Sequence, residues 1–416
     1  MATTAWSPNG QITAQVDTIV VTLVPGGGGG TLTITCNGKT IVYTTIVGDT
    51  TATAAAAWFA LLNNTAAAPA EINEITWGQT GSTITATSGT PGTPFTITAT
   101  GAAGATLTQT HTTLNSSNSD VNNPANWLRA GVAAIPVNGD DVIVNNSNVP
   151  LLWNLQALAA VQFNSFVRWQ SFTGTIGLPE NNPNGYIEYR PTYFQFSGPP
   201  AGTLQMTLGE GVTGSGPTRE RYNVGAQLTN LNIFAAGSPQ DAYAIRFLGT
   251  NANNGIAIVG TSVAVAMLAG ESSTANGIIV SGGGSLALGL GASVTSVRAT
   301  ASSVFVNCAL TTIVLDGSVL NVQAAGQTYG LLQAIAGSAV NWYTNSALTQ
   351  LTMTTNSTFN KVAGGTMVLT NATIDGDTCS VNDPYNTITW TNPIVVNNKV
   401  VAGPLTFGTG RTVKIT

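Results

Sequence analysis

Three short segments, Gly317-Ser318-Val319-Leu320-Asn321, Gly337-Ser338-Ala339-Val340-Asn341 and Asn356-Ser357-Thr358-Phe359-Asn360, place their serines 20 and 19 residues apart. Gly284-Ser285-Leu286 and Ser302-Ser303-Val304 fit the same pattern loosely. From about Val224 onward the chain consists of apolar runs of three to five residues separated by Gly, Asn, Ser or Ala. A period of about 20 residues with short strands and no helical stretch is the mark of a solenoid, in which each coil buries its apolar face only against its neighbours. The reading is a mainly β chain with a right-handed parallel β-helix over about 140–390. It is entered at about 126, interrupted or widened at 170–225, and followed by C-terminal strands or a cap at 391–416. A β-sandwich or jelly roll made of the same strands is the competing architecture.

Charge sharpens that choice. Lys+Arg number 12 and Asp+Glu 17 in 416 residues, so 7% of the chain is charged, against about 25% in ordinary soluble domains. Between 250 and 372 the charged residues are Glu271, Arg298, Asp316 and Lys361. A solenoid face wetted on all sides would carry more charge, which predicts that identical copies cover one outer face, as in a homotrimer. The net charge of −5 offers no basic stripe for phosphates, so nucleic acid is not an expected partner. A 43% hydrophobic content excludes a disordered chain. The longest apolar stretch, Ala52 to Leu62, is too short to span a bilayer, so no membrane insertion is expected. The N-terminal segment Met1-Ala2-Thr3-Thr4-Ala5-Trp6-Ser7-Pro8 lacks the basic start and apolar core of a secretory signal. Cys36, Cys308 and Cys379 are odd in number and far apart, which predicts three buried thiols rather than a disulfide framework or a zinc site.

The first hundred residues differ in kind. Thr18 to Val24 reads as a strand broken by Pro25 and the Gly26–Gly30 run. Asn37-Gly38 joins Thr31–Cys36 to Lys39–Thr44 as a hairpin. Asp49 or Thr50 caps a helix whose Ala55, Trp58, Phe59 and Leu62 recur at helical spacing. Alternating segments at Ile75–Trp77, Ser82–Thr87 and Pro94–Thr100 complete a ββαββ-like α+β unit ending near Ala105. Its expected core is Leu32, Ile34, Val42, Trp58, Phe59, Leu62, Trp77 and Phe95. Residues 1–110 form this module, and the polar stretch 111–125, with the lone His111, reads as a linker or an extended crossing segment.

Asn37-Gly38-Lys39, Gly48-Asp49-Thr50, the Ala-rich helix and Thr90-Pro91-Gly92-Thr93-Pro94-Phe95-Thr96 resemble a small module that recurs in bacteriophage virion proteins and large bacterial surface proteins. Asn126-Trp127 and the Pro136–Val144 segment resemble the entry of β-helical adhesins and virion spikes, in which a Trp packs over the first coil. The resemblance implies a virion structural protein of a tailed bacteriophage, assembled in the host cytoplasm and displayed as a capsid decoration, head fibre or tail fibre. Its partners would be other copies of itself, other virion proteins through the N-terminal module, and a host cell-surface glycan. A glycan-binding or glycan-degrading tailspike and a bacterial surface adhesin are the alternatives.

No catalytic constellation stands out. A glycosidase needs two carboxylates about 5–10 Å apart, and the repeats offer only the isolated Glu271 and Asp316. Asp140-Asp141 alternates between faces at a turn, and Asp375-Gly376-Asp377 with Asp383 lacks the remaining ligands of a calcium loop. The expectation is no catalytic residue, no metal and no cofactor. The one charge-rich, aromatic stretch is the candidate interaction surface: Tyr186, Glu188, Tyr189, Arg190, Tyr193, Glu210, Arg219 and Arg221. Should a carboxylate pair exist in a groove, it would come from Glu180, Glu188, Glu210 and Glu220.

Overall fold

The structure, a computed structural model, describes residues 2–211, 213–238, 244–259, 265–268, 273–362, 364–375, 378–392, 394–397 and 413–415. It is mainly β, with a β-solenoid of about 11 turns after an N-terminal β-rich region. This settles the architecture against the sandwich.

The chain begins inside the solenoid. Strand β1 (Thr3–Trp6) pairs in parallel with β11 (Asp141–Val144) and antiparallel with β9 (Trp127–Arg129). Trp6 meets Trp127 edge-on at 4.9 Å, and the Trp127 indole N–H donates to the Val121 carbonyl at 2.8 Å. The first residues therefore belong to the end of the β-helix, and the small module is an insertion between β1 and β9 rather than a foot spanning 1–110.

Within the insertion run β2 (Val16–Leu23), β3 (Thr31–Cys36), β4 (Lys39–Thr44), α1 (Thr51–Leu62), β5 (Ile75–Thr80), β6 (Thr83–Ser88), β7 (Ile97–Ala102) and β8 (Thr106–Thr113). They form two antiparallel sheets, ordered β5-β6-β2-β8 and β4-β3-β7. Asn37 and Gly38 both take positive φ, 52° and 76°, as a two-residue hairpin turn requires. Thr50 caps α1, its hydroxyl accepting from the Thr53 N–H while the Thr53 hydroxyl accepts from the Thr50 N–H. Leu32, Ile34, Trp58, Leu62, Trp77 and Phe95 share one core, but Val42 is 47% exposed, because its position on β4 faces away from the helix.

The polar stretch after the module is not loose. β8 carries the sheet through His111, whose Nδ1 meets the fully buried Asp17. Ser117, Ser119, Asp120, Val121 and Asn126 are buried. The Asn126 amide donates to the Ser117 and Asp120 carbonyls at 2.8 Å and accepts from the Gly10 N–H at 2.7 Å. Those bonds fasten both connections of the module to the first coil.

Two parallel sheets run the length of the solenoid. The longer continues from β11 through β12 (Ser165–Trp169), β14 (Leu204–Glu210) and β16 (Thr229–Ile233). The other starts with β13 (Phe194–Gln195), β15 (Glu220–Asn223) and β17 (Ile245–Leu248) and reaches Ser380–Asn382. Later strands of the long sheet bend: in Ala347–Thr354, Leu348, Leu351 and Met353 all point inward, and the pairing to the next coil skips Thr349. A spacing of three between inward residues needs a corner, so each such coil has three sides. Thr312 pairs Leu331, which pairs Gln350, a rise of 19 residues per coil.

The serine repeat marks one corner. Gly317 and Gly337 take φ of 56° and 79°, and Asn356 58°, a left-handed conformation open mainly to Gly and Asn. The following Ser318, Ser338 and Ser357 are buried. The Ser338 hydroxyl accepts from the Ser318 N–H, and the Ser318 hydroxyl from the Ser302 N–H. On the outer face beside this corner, Asn382 donates to Asn360, Asn360 to Asn341, and Asn341 to Asn321, at 2.7, 3.0 and 3.1 Å. The three cysteines are free and buried, and burial pushes the Cys308 thiol up to about 12.

Candidate functional site

One coil is far longer than its neighbours: Ser165 pairs Gln205, and the intervening residues form the widening expected at 170–225. Asn181 and Ile187 bridge antiparallel within it, and the excursion ends by feeding β13. It leans against the inserted module, and the junction encloses a cleft of about 960 Å³.

A clasp closes the base of this cleft. Arg190 pairs with Glu74 of the module, donates through Nη1 to Glu188 Oε1 at 3.0 Å, and donates through Nε to the Pro94 carbonyl at 3.1 Å. Tyr186 and Tyr189 both donate to the Glu74 carboxylate, Tyr189 at 3.0 Å. The guanidinium lies 4.3 Å from the Tyr189 ring centroid and 5.3 Å from that of Trp153, within cation–π range. Burial, reinforced by Glu74, pushes both phenols far above their ordinary range, so they remain donors. Burial disfavours the Arg190 charge, but the Glu188 and Glu74 carboxylates beside it favour that charge, and its pKa is raised. Two carboxylates share one guanidinium at the base, and the two phenols supply Glu74 with further donors.

Five of the eight residues singled out from the sequence therefore meet here, namely Tyr186, Glu188, Tyr189, Arg190 and Tyr193. The other three are elsewhere. Glu210 is exposed at the end of β14, beside Trp169 in the pairing register. Arg219 donates to the Gly177 carbonyl at 3.2 Å. Arg221 is buried, its guanidinium 5.8 Å from the Tyr193 centroid.

Of the carboxylates expected to supply any catalytic pair, Glu180 and Glu188 line the cleft. Glu188 is held by Arg190 and by the Asn182 amide at 2.8 Å, and Glu180 pairs with Arg246 at 3.3 Å. Glu220 lies inside the β-helix, fully buried against Arg168, with the Tyr222 hydroxyl donating to it at 2.6 Å. Among the described residues no group of His, Cys, Asp and Glu is placed to hold a metal. Gly376 and Asp377 of the Asp-x-Asp segment, and Glu271, lie outside the described residues.

Sequence reasoning missed Glu74, Trp153, Gln156 and Gln195. Glu74 stands more than a hundred residues from its partners, so only an acidic residue closing a helical turn just before a strand marked it. Asp140 closes a turn, accepting from Arg129, Thr4 and the Val137 N–H, and Asp141 opens β11, accepting from Asn164 and Ser165.

No protein-family model matches this chain, and no curated protein matches it in sequence.

Proposed function

We propose that this protein is a non-enzymatic structural component of a bacteriophage particle, displayed on the virion surface as a β-helical homotrimer of decoration or fibre type. The observation that carries the reading is the continuous parallel stack, with one core running from Trp6 to Val396 and outer faces of Asn, Ser, Thr and Ala rather than charge. Such a surface suits burial against copies of itself. The clasp adds support, because it makes module and β-helix one stiff unit able to project from a particle. The inserted module is the part that contacts other virion proteins. Glu188 is engaged by Arg190 and Asn182, and Glu180 meets Arg246, so the two carboxylates lining the cleft serve as ion-pair partners, which supports the absence of catalysis.

Light scattering of the purified full chain at physiological salt is expected to give a trimer, and a stable monomer overturns the assembly. Antibodies raised against the chain are expected to label intact phage particles of the host; their failure removes the virion assignment. New reducing ends or unsaturated sugars released from capsular polysaccharide would contradict catalytic inertness, with Glu188→Gln the first variant to make.

A further inference from the structure

We propose that the cleft between the inserted module and the widened coil, continued along the neighbouring coils, is a binding groove for a neutral oligosaccharide. This goes beyond the structural reading above and depends neither on the trimer nor on the virion.

Three observations carry it. The first is shape: the cleft of about 960 Å³ adjoins a second hollow of about 410 Å³, and Gln195 and Asn223 line both. Gln195 and Asn223 are register partners on β13 and β15, and Leu248 on β17 follows Asn223. These outward side chains form a track crossing three coils, longer than one sugar ring requires and suited to a chain of them.

The second is chemistry. Trp153, Tyr189 and Tyr193 contribute aromatic surface, and the first two are held by the Arg190 guanidinium between the clasp carboxylates. Fixed aromatic rings suit the apolar faces of pyranose rings, and amide side chains suit their hydroxyls. Gln156 and Gln195 provide such amides, and no hydrogen bond within the described residues engages either side chain.

The third is what the groove lacks. Arg190, the cation lining the cleft, is engaged by Glu74, Glu188 and the Pro94 carbonyl, and the carboxylates of Glu180 and Glu188 line it as well, so an acidic ligand is disfavoured. An extended peptide is captured by adding a strand to a free sheet edge. Here β15 and β17 are paired on both sides, and β13, the terminal strand of this sheet, spends its Gln195 N–H on the Leu155 carbonyl at 2.8 Å, so the groove presents a face of side chains.

Binding is tested with the full-length protein by saturation-transfer NMR against maltohexaose, cellohexaose and N-acetylated chitohexaose. Hexagalacturonate and a mixed-sequence decapeptide serve as acidic and peptide controls. At least one neutral hexasaccharide is expected to bind, with protein contacts to consecutive rings. Gln156→Ala combined with Gln195→Ala, both at solvent-facing positions, is expected to weaken that binding at least tenfold, while Arg298→Ala on a distant coil leaves it unchanged. Absence of binding by all three neutral sugars overturns the proposal. So does preference for the galacturonate or the peptide, or affinity unaffected by the double substitution.

Discussion

The two halves of the solenoid are held together by different means. In the coils up to about residue 250, the core is filled by aromatic rings: Phe166 lies 5.1 Å from Phe196 and 5.4 Å from Tyr222, and Phe163 stacks on Phe196 at 4.8 Å. Those large rings surround a buried ion pair, Arg168–Glu220. Beyond about 280 the coils shorten, aliphatic residues dominate the core, and polar side chains repeat in register as serine and asparagine ladders. A coil that must carry an excursion cannot keep a fixed length, so it is fitted by individual packing. A plain coil is free to copy its neighbour.

The strongest way to break that contrast is to remove one partner of the buried pair. Glu220→Ala leaves Arg168 charged within the core, and loss of one member of such a pair costs about 3–5 kcal/mol. Chemical denaturation is expected to show the coils around 165–250 unfolding first, with the repeats beyond 280 persisting. A loss below about 1 kcal/mol would mean that the ion pair is solvated and the upstream core is not dry.

Applied downstream, the corresponding substitution is Ser338→Ala. It takes the acceptor from the buried Ser318 N–H, bonded at 3.2 Å, and an orphaned buried donor costs about 1–3 kcal/mol. Amide exchange at Ser318 is expected to accelerate accordingly, and unchanged protection would show that the corner serine is not part of the ladder.

The same contrast explains what was legible beforehand. The Gly-Ser-x-x-Asn repeat announced the solenoid because three demands recur at one place in each coil: a left-handed corner, a hydroxyl to satisfy the next corner, and an outward amide. The Asn37-Gly38 hairpin and the Thr50 cap were equally readable, being local. The upstream coils were not, since Ser165 and Gln205 pair across 40 residues and no repeat spans that gap. The membership of β1 in the solenoid was hidden because it rests on pairing with Asp141–Val144 across the whole module. The clasp was half visible: the Tyr and Arg cluster stood out by composition, whereas Glu74 lies in another domain. The burial of 111–125, read as a linker or an extended crossing segment, was not legible because polar residues there bond one another instead of water.

Acid sharpens the comparison less severely. Burial works against the Asp140 charge, but the Arg129 guanidinium, the Val137 N–H and the Thr4 hydroxyl outweigh it and hold its pKa below the usual carboxylate value. A carboxyl depressed in the folded state stabilises above its unfolded pKa of about 3.9, and that contribution disappears as pH falls through the folded value. Melting temperature followed from pH 5 to 2 is expected to fall at the β1–β9–β11 end, and Asp140→Asn is expected to flatten part of this slope. Between 273 and 362 Asp316 is the sole carboxylate, so those coils should respond weakly; equal loss in both halves would remove the distinction.

The smallest expected effect tests whether the asparagine ladder is a chain of bonds or a by-product of the repeat. Asn341 both donates to Asn321 and accepts from Asn360, whereas Asn321, at the end of the run, only accepts. Each bond of this kind contributes about 0.5–1.5 kcal/mol net, and these side chains are half-buried, where the unmade partner finds water. Asn321→Ala should therefore cost about one such bond and Asn341→Ala about two, a difference resolvable by denaturation of the two variants side by side. Combining Asn321→Ala with Asn341→Ala should cost less than the sum of the single changes, because the bond between them is lost only once. Strict additivity would show that the amides act independently. The regularity of the downstream coils would then rest on the buried corner serines and the apolar core, in which Tyr329, Trp342 and Phe359 join the aliphatic residues.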